Sequence, residues 1–273
     1  MRDRLPAPVF WLFGKTQSGK TTLIKYLTGA DAAEIGQGFR PCTRFSRLYE
    51  FPTAEAPLLT FLDTRGLDEP DYDPTEDLAR LRALGLNRTS TLIDLGAGTG
   101  AFSLAAAPLC RRVVAVDISP TMLGALRAEA AAGGVGNVDC VQAGFLSYEH
   151  VGDPADFVYS RHALHQLPDF WKAVALGRIA RMLRLGGVLR VRDLFLSCRV
   201  GEVSAVVEAW LAGAAQCSDV GWTRGELETH LRDEYRTFTW LFEPLLVQAG
   251  FEVQDASYAD SRIYAAYTCV RVR

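Results

Sequence analysis

Two glycine-rich bends, each placed directly after a short apolar run, begin eighty residues apart in a chain of 273 residues. A glycine bend between a strand and a helix is a feature of layered α/β sheets, where ligands sit beyond the carboxyl ends of the strands. The first bend is Gly14-Lys15-Thr16-Gln17-Ser18-Gly19-Lys20-Thr21 and the second is Asp94-Leu95-Gly96-Ala97-Gly98-Thr99-Gly100. Only the second is followed by a long alternation of strands and helices. From Thr91 onward the pattern predicts strands at 92–95, 113–116, 138–142, 157–160 and 188–192, with helices between them at 120–132 and 171–183. Helices at 202–215, 223–235 and 238–249 and two strands at 252–258 and 263–272 complete the expectation. The upstream part is shorter, with strands at 9–13, 45–51 and 58–62, a helix at about 20–27, and a second helix that starts with the acids of Thr75-Glu76-Asp77 and ends at Gly85. The reading is therefore α/β, with a segment over 1–80 and a larger domain over 81–273.

The bulk numbers exclude several classes. Twenty-nine basic against 32 acidic residues give a net charge of −3, which offers no general basis for phosphate-backbone binding, so nucleic acid is not an expected partner. The six cysteines are scattered, without a C-x-x-C pair, and read as buried thiols of a reducing cytoplasm. No apolar run approaches membrane-spanning length, and residues 8–13 are too short to be a signal peptide or anchor. A cytoplasmic location is the expectation.

The first bend fills every position of G-x-x-x-x-G-K-[ST]. Such a loop turns successive backbone N–H groups and a helix N-terminus toward a phosphate, with Lys20 adding charge and Thr21 a hydroxyl for Mg²⁺. Residues 9–77 resemble the front half of a P-loop GTPase of the Era and translation-factor class. By that resemblance Gly14, Gly19, Lys20 and Thr21 would cradle Mg-GTP or Mg-ATP. Thr43 would be the second magnesium ligand, and Asp63-Thr64-Arg65-Gly66 the D-x-x-G in which Asp63 supports the metal and Gly66 senses the γ-phosphate. The family's [NT]-K-x-D guanine motif does not follow residue 66, and three strands stand where that sheet has five or six. An open sheet edge would call for cover by the second domain, a second copy or another partner.

The second bend also satisfies G-x-G-x-x-A over Gly96–Ala101, so the loop by itself is open to a dinucleotide or an adenosyl cofactor. Asp94, two residues before the first glycine, would repel a pyrophosphate and attract a cationic donor. Asp117 ends the next strand, where a carboxylate accepts hydrogen bonds from ribose hydroxyls of either cofactor. Arg184-Leu185-Gly186-Gly187 resembles the L-[RK]-P-G-G turn before the fifth strand of class I S-adenosylmethionine-dependent methyltransferases, with Leu185 in place of proline. On these features residues 83–273 resemble that family throughout, which implies a Rossmann-like seven-stranded sheet.

The resemblance further implies that S-adenosylmethionine is the donor, with a small-molecule acceptor. Asp94, Gly96, Ala97, Gly98 and Gly100 would line the methionine end, and Asp117 would hold the ribose. Ile118 and Met122 would flank the adenine, assisted by Gln142, Gly144 and Phe145 where the family often has an acid. Ser160 would face the sulfonium. Tyr159, Arg161, His162 and His165 are the candidates for acceptor orientation or proton removal, with the two histidines on one helical turn. Trp210, Trp222, Tyr235, Phe238 and Trp240 lie in the insertion after the fifth strand and are expected to line an acceptor lid or to pack as core.

Overall fold

A computed structural model describes residues 72–215 and 224–273 and three upstream strands, 9–12, 47–51 and 59–63. The chain divides into two compact units, Met1–Tyr72 and Asp73–Arg273. In the first, β1 (Val9–Leu12) runs parallel to β3 (Leu59–Asp63), and β2 (Arg47–Phe51) lies antiparallel on the far side of β3. The phosphate-loop residues Gly14, Gly19, Lys20 and Thr21, together with Thr43 and Gly66, lie outside the described residues. Asp63 is described only as the last backbone position of β3.

The second unit begins with helix α1 (Thr75–Ala83) and continues as β4 (Thr91–Leu95), α2 (Ala101–Ala106), β5 (Arg112–Asp117), α3 (Pro120–Ala132) and β6 (Val138–Gln142). It proceeds through β7 (Ala155–Arg161), α4 (Asp169–Met182), β8 (Leu183–Asp193), β9 (Phe195–Leu196), α5 (Val203–Ala215), α6 (Arg224–Asp233) and β10 (Thr237–Phe238). Helix α7 (Thr239–Gln248) leads to β11 (Phe251–Tyr258) and β12 (Ala265–Arg271). Seven strands form one sheet in the order β11-β12-β8-β7-β4-β5-β6, with β12 antiparallel to both of its neighbours and the remaining pairs parallel.

The central strands form because both of their faces are buried. Leu92, Ile93, Leu95 and Val113 to Val116 are all sealed from solvent, as continuous apolar runs between two helical layers should be. Chain order reverses across β4, which has β5 on one side and β7 on the other. Such a switch point leaves a crevice beyond the carboxyl ends of the two strands, and the loops leaving β4 and β7 both open there.

One polar cluster sits inside this core. The Asp77 carboxylate, buried on α1, accepts from Arg190 Nε at 3.0 Å and from the Tyr159 hydroxyl at 2.9 Å, while Arg192 lies 3.4 Å away. Arg190 also donates to Thr268 Oγ1 at 3.1 Å. Helix α1 is thereby part of the second unit, which starts at Asp73, eight residues before the boundary expected from sequence. The same cluster removes Tyr159 from the candidate catalytic set: its ring is buried, stacked on Phe102 at 3.6 Å, and its hydroxyl is committed to α1.

Candidate functional site

The loop after β4 is built onto β5. The N–H groups of Gly96 and Ala97 both donate to the carbonyl of Val116, at 2.9 and 3.0 Å. Asp117 then acts as a two-pronged acceptor, taking the Gly98 N–H on Oδ2 and the Ser119 N–H on Oδ1, each at 2.8 Å. Ser119 caps α3, with Pro120 in its first turn and the Met122 N–H donating to the Ser119 hydroxyl. One carboxylate therefore ties the glycine bend to the start of the next helix.

Glycine is required here for two different reasons. A Cβ at Gly96 would collide with Ala163, and one at Gly100 would collide with Leu126, so these two pack the bend against its surroundings. Gly98 is different: an added Cβ would meet nothing within 4 Å, yet its φ of +54° is left-handed. The backbone at Gly98 thus faces open space beside the Asp117 carboxylate. Ile118, 74% exposed, stands next to this opening and rests against Gly144, where a Cβ would come within 2.9 Å of the isoleucine. Gln142 is exposed and donates weakly to the Ile118 carbonyl at 3.4 Å, Met122 is half-buried, and Phe145 packs partly against the main core.

Asp94 ends up beneath the loop, not on its surface. It is buried, and its Oδ2 accepts from the Ser103 hydroxyl at 2.6 Å. Burial pushes its carboxyl up to about 7; the Ser103 bond opposes this and the nearby Asp117 charge adds to it. A further buried polar atom lies on the neighbouring strand β7, where Ser160 Oγ finds no hydrogen-bond partner among the described residues.

The segment after β7 is arranged around Asp193, at the end of β8. Its Oδ2 accepts from the backbone N–H groups of Leu164 at 2.7 Å, Ala163 at 3.2 Å and His165 at 3.3 Å. Its Oδ1 takes the Leu194 N–H at 2.7 Å and lies 2.6 Å from His165 Nδ1. His165 also has the Gln166 amide 2.8 Å from its Nε2 and Glu234 at 3.6 Å. Burial alone would lower the imidazole, but the Asp193 charge and hydrogen bond, helped by Glu234, push it up to about 9. Burial likewise opposes ionisation of Asp193, and His165 holds that carboxyl below its usual range.

A pKa pushed up to about 9 favours the charged form of His165 at neutral pH, and its Nδ1 is committed to Asp193, so the geometry favours a positioning role over the general-base role expected of it. The two histidines do not share a helical turn. His165 sits in a short 3-10 turn at Leu164–Gln166, whereas His162 precedes it with φ +47°. The N–H of His162 donates to the Arg192 carbonyl at 2.9 Å, and its ring stacks on Tyr264 at 5.5 Å. Left-handed backbone at a non-glycine residue costs on the order of 1 kcal/mol and is concentrated at functional sites. Tyr264 meets the edge of Trp210 at 6.4 Å, and the Arg236 guanidinium lies 5.8 Å over the same indole. Arg161 is half-buried at the end of β7, in register with Arg192. Of the lid aromatics, Trp210 reaches this cluster. Phe238 and Trp240 stack on each other, Tyr235 is exposed, and Trp222 lies outside the described residues.

Sequence alone missed Asp193. Its only signal was an acid ending an apolar strand, as at Asp94 and Asp117.

The surroundings of Gly98 suit an adenosyl donor better than a diphosphate. Two carboxylates converge beneath the bend, one already raised in part by the other, so added negative charge is unfavourable and a cation is favoured. The open face at Gly98 and the uncovered Ile118 provide room and contacts for a molecule along the switch-point crevice.

Residues 92–187 match the family model described as a methyltransferase domain, which spans β4 to the interior of β8 and so includes Asp94, Asp117 and Ser160. A ribosomal protein L11 methyltransferase from Thiobacillus denitrificans is 33% identical over 202 residues, covering 68% of this chain and 62% of the relative. The chain thus spans less than two thirds of that relative's length. An uncharacterized methyltransferase from Anoxybacillus flavithermus is 26% identical over 164 residues, 60% of this chain and 70% of the relative. Among solved structures, the magnesium protoporphyrin IX methyltransferase of Synechocystis PCC 6803 with bound SAH superposes with a TM-score of 0.54 at 18% identity, covering 72% of this chain and 81% of that one. A SAM dependent methyltransferase from Aquifex aeolicus gives 0.51 at 16% identity, with 74% and 100% coverage. The structural matches share this sheet architecture.

Proposed function

We propose that this chain, residues 92–187 of which match a methyltransferase-domain model, transfers a methyl group from S-adenosylmethionine to a small or medium organic acceptor. The observation that carries the reading is the open backbone at Gly98 beside a carboxylate that is itself fixed by the loop. Asp117 has remaining lone pairs on both oxygens for the ribose hydroxyls. Ile118, Met122, Gln142, Gly144 and Phe145 border the adenine side. Ala97, Gly98 and the buried Asp94 favour the cationic methionine end, with Ser160 buried on the neighbouring strand β7.

The donor supplies an activated methyl group on a cationic sulfur, so the protein's task is alignment and exclusion of water. His162, held by Arg192, would take a proton from an acceptor hydroxyl or amine. Arg161 orients the acceptor. His165 positions the turn as a fixed cation. Titration calorimetry with S-adenosylmethionine and S-adenosylhomocysteine tests the proposal: binding that weakens at least tenfold in Asp117→Ala is expected, and absence of heat with folded wild-type protein would refute it.

A second reading applies to the first unit. The register of β1 with β3 sets Leu12 beside Asp63, so the G-x-x-x-x-G-K-T sequence and the D-x-x-G sequence begin at the same end of neighbouring parallel strands. On that arrangement of sequence we propose a Mg-nucleotide site using Lys20, Thr21 and Thr43, which lie outside the described residues. Binding of a fluorescent GTP or ATP analogue that is lost in Lys20→Ala is the expected result, and indifference to the change would eliminate the idea.

A further inference from the structure

Trp210 has two neighbourhoods. It meets Tyr264, which stacks on His162, and it also lines a groove of about 740 Å³. One wall of the groove is a single face of α5 and its lead-in, with Glu202, Ala205, Val206, Ala209 and Trp210 at spacings of three, four, seven and eight. The other wall is the β11–β12 turn, residues Asp260, Ser261 and Arg262. This size lies within the range of small-molecule sites.

The chemistry of the walls is one-sided. Ala205 and Ala209 are exposed, and with Gly201 they leave the helix wall recessed. The guanidinium of Arg262 is spent across the groove's end: it forks onto both carboxylate oxygens of Glu202, at 3.2 and 3.1 Å, and reaches the Ser197 carbonyl at 3.2 Å. That bidentate pair cancels its own charge and braces the two walls. Among the described residues of the rim, the remaining ionised group is the exposed Asp260. An anionic guest would meet an uncompensated carboxylate and no available cation on these walls, whereas an apolar guest would meet methyl groups, a valine and an indole.

We infer that this groove is the acceptor's binding site and that it takes an uncharged, largely apolar organic molecule, whose reactive end passes the Trp210–Tyr264 edge to reach His162. The inference rests on the methyl-transfer reading above and adds the substrate's chemical class to it.

The test uses the full chain and two probes of one skeleton, N-phenyl-1-naphthylamine, which is neutral, and its sulfonated counterpart 1-anilinonaphthalene-8-sulfonate. Fluorescence titration should show tighter binding of the neutral probe. Ala205→Leu and Ala209→Trp, both at exposed positions where added bulk grows into the groove, should each weaken that binding at least tenfold. Donor affinity, read by calorimetry in the same samples, should stay within twofold. Failure of the neutral probe to bind wild type, unchanged binding in both variants, or preference for the sulfonate would each overturn the groove assignment while donor binding stands. Wild-type protein that takes the neutral probe but no donor would instead overturn the transferase reading, and with it the acceptor role.

Discussion

His165 Nδ1 and Asp193 Oδ1 lie 2.6 Å apart, both sealed from solvent, and the same carboxylate holds three successive backbone N–H groups of the turn that carries the histidine. The pair fixes the segment between His162 and Gln166 onto the end of β8. Removing one partner leaves the other charge buried and uncompensated, which costs about 3–5 kcal/mol. Asp193→Ala should lower the free energy of denaturant unfolding by that order. Donor affinity of the residual folded protein should fall less than methyl transfer does, because the bend at Gly98 is anchored by Asp117 instead.

The same pair sets a pH window. His165 is raised in the folded state from 6.5 to about 9, so its contribution to stability is complete below about 6.5 and is lost as pH rises through 9. Asp193 is depressed below 3.8, so its contribution is present above that value and is lost on acidification. Each tenfold gain in the imidazole's proton affinity on folding corresponds to about 1.4 kcal/mol, so unfolding free energy should decline by roughly 3 kcal/mol as the solution is taken from neutral to alkaline pH. Urea titrations from neutral to alkaline pH should show the slope in wild type, and Asp193→Asn should flatten it.

Donor binding should have a separate titration. Asp94, pushed up to about 7 chiefly by burial, is partly protonated in the free protein at neutral pH, and a bound cation favours its ionised form. S-adenosylmethionine affinity should consequently rise with pH up to about 7, by as much as tenfold per unit below that value, with a proton released on binding. Calorimetry in buffers of different ionisation enthalpy would detect the released proton. Asp94→Asn should remove the pH dependence.

Gly98 separates folding from binding. Alanine there meets no neighbour but must adopt φ +54°, so Gly98→Ala should cost only about 1–2 kcal/mol in stability while reducing donor affinity at least tenfold. Gly96→Ala, which would strike Ala163, should cost more stability. Comparing thermal unfolding with donor titration for the two variants checks the contrast.

Much of the second unit was legible because its signals are local. The runs at 92–95 and 113–116 are apolar on both faces, and the Gly-x-Gly-x-Gly bend sits between a strand and a helix, so strand positions and the loop could be placed by pattern alone. The features that were missed depend on contacts distant in sequence. Asp77 looked like an acid in a charged helix start within the upstream segment, yet its partner is Arg190, 113 positions on. Tyr159 alternates with Ser160 along β7, and nothing in the sequence says that its hydroxyl is taken by α1. His162 and His165 are three residues apart, a spacing that suggested a helix. The left-handed backbone at His162 and the Asp193 anchor follow from the end of β8, not from their own neighbours.

Asp77 also predicts where the second unit can begin. A chain starting at Asp73 should unfold cooperatively, whereas one starting at Leu84 would leave Arg190 buried without its carboxylate and should be unstable or insoluble. Circular dichroism melts of the two chains test this.

The placement of that acid has a consequence for how the helix tolerates change. Asp77, Leu78 and Leu81 are the buried residues of α1, and they share one face. A single residue inserted between Asp77 and Leu78 would turn the two halves of the helix by about 100° relative to each other. Either the leucines or the carboxylate would then swing out to water.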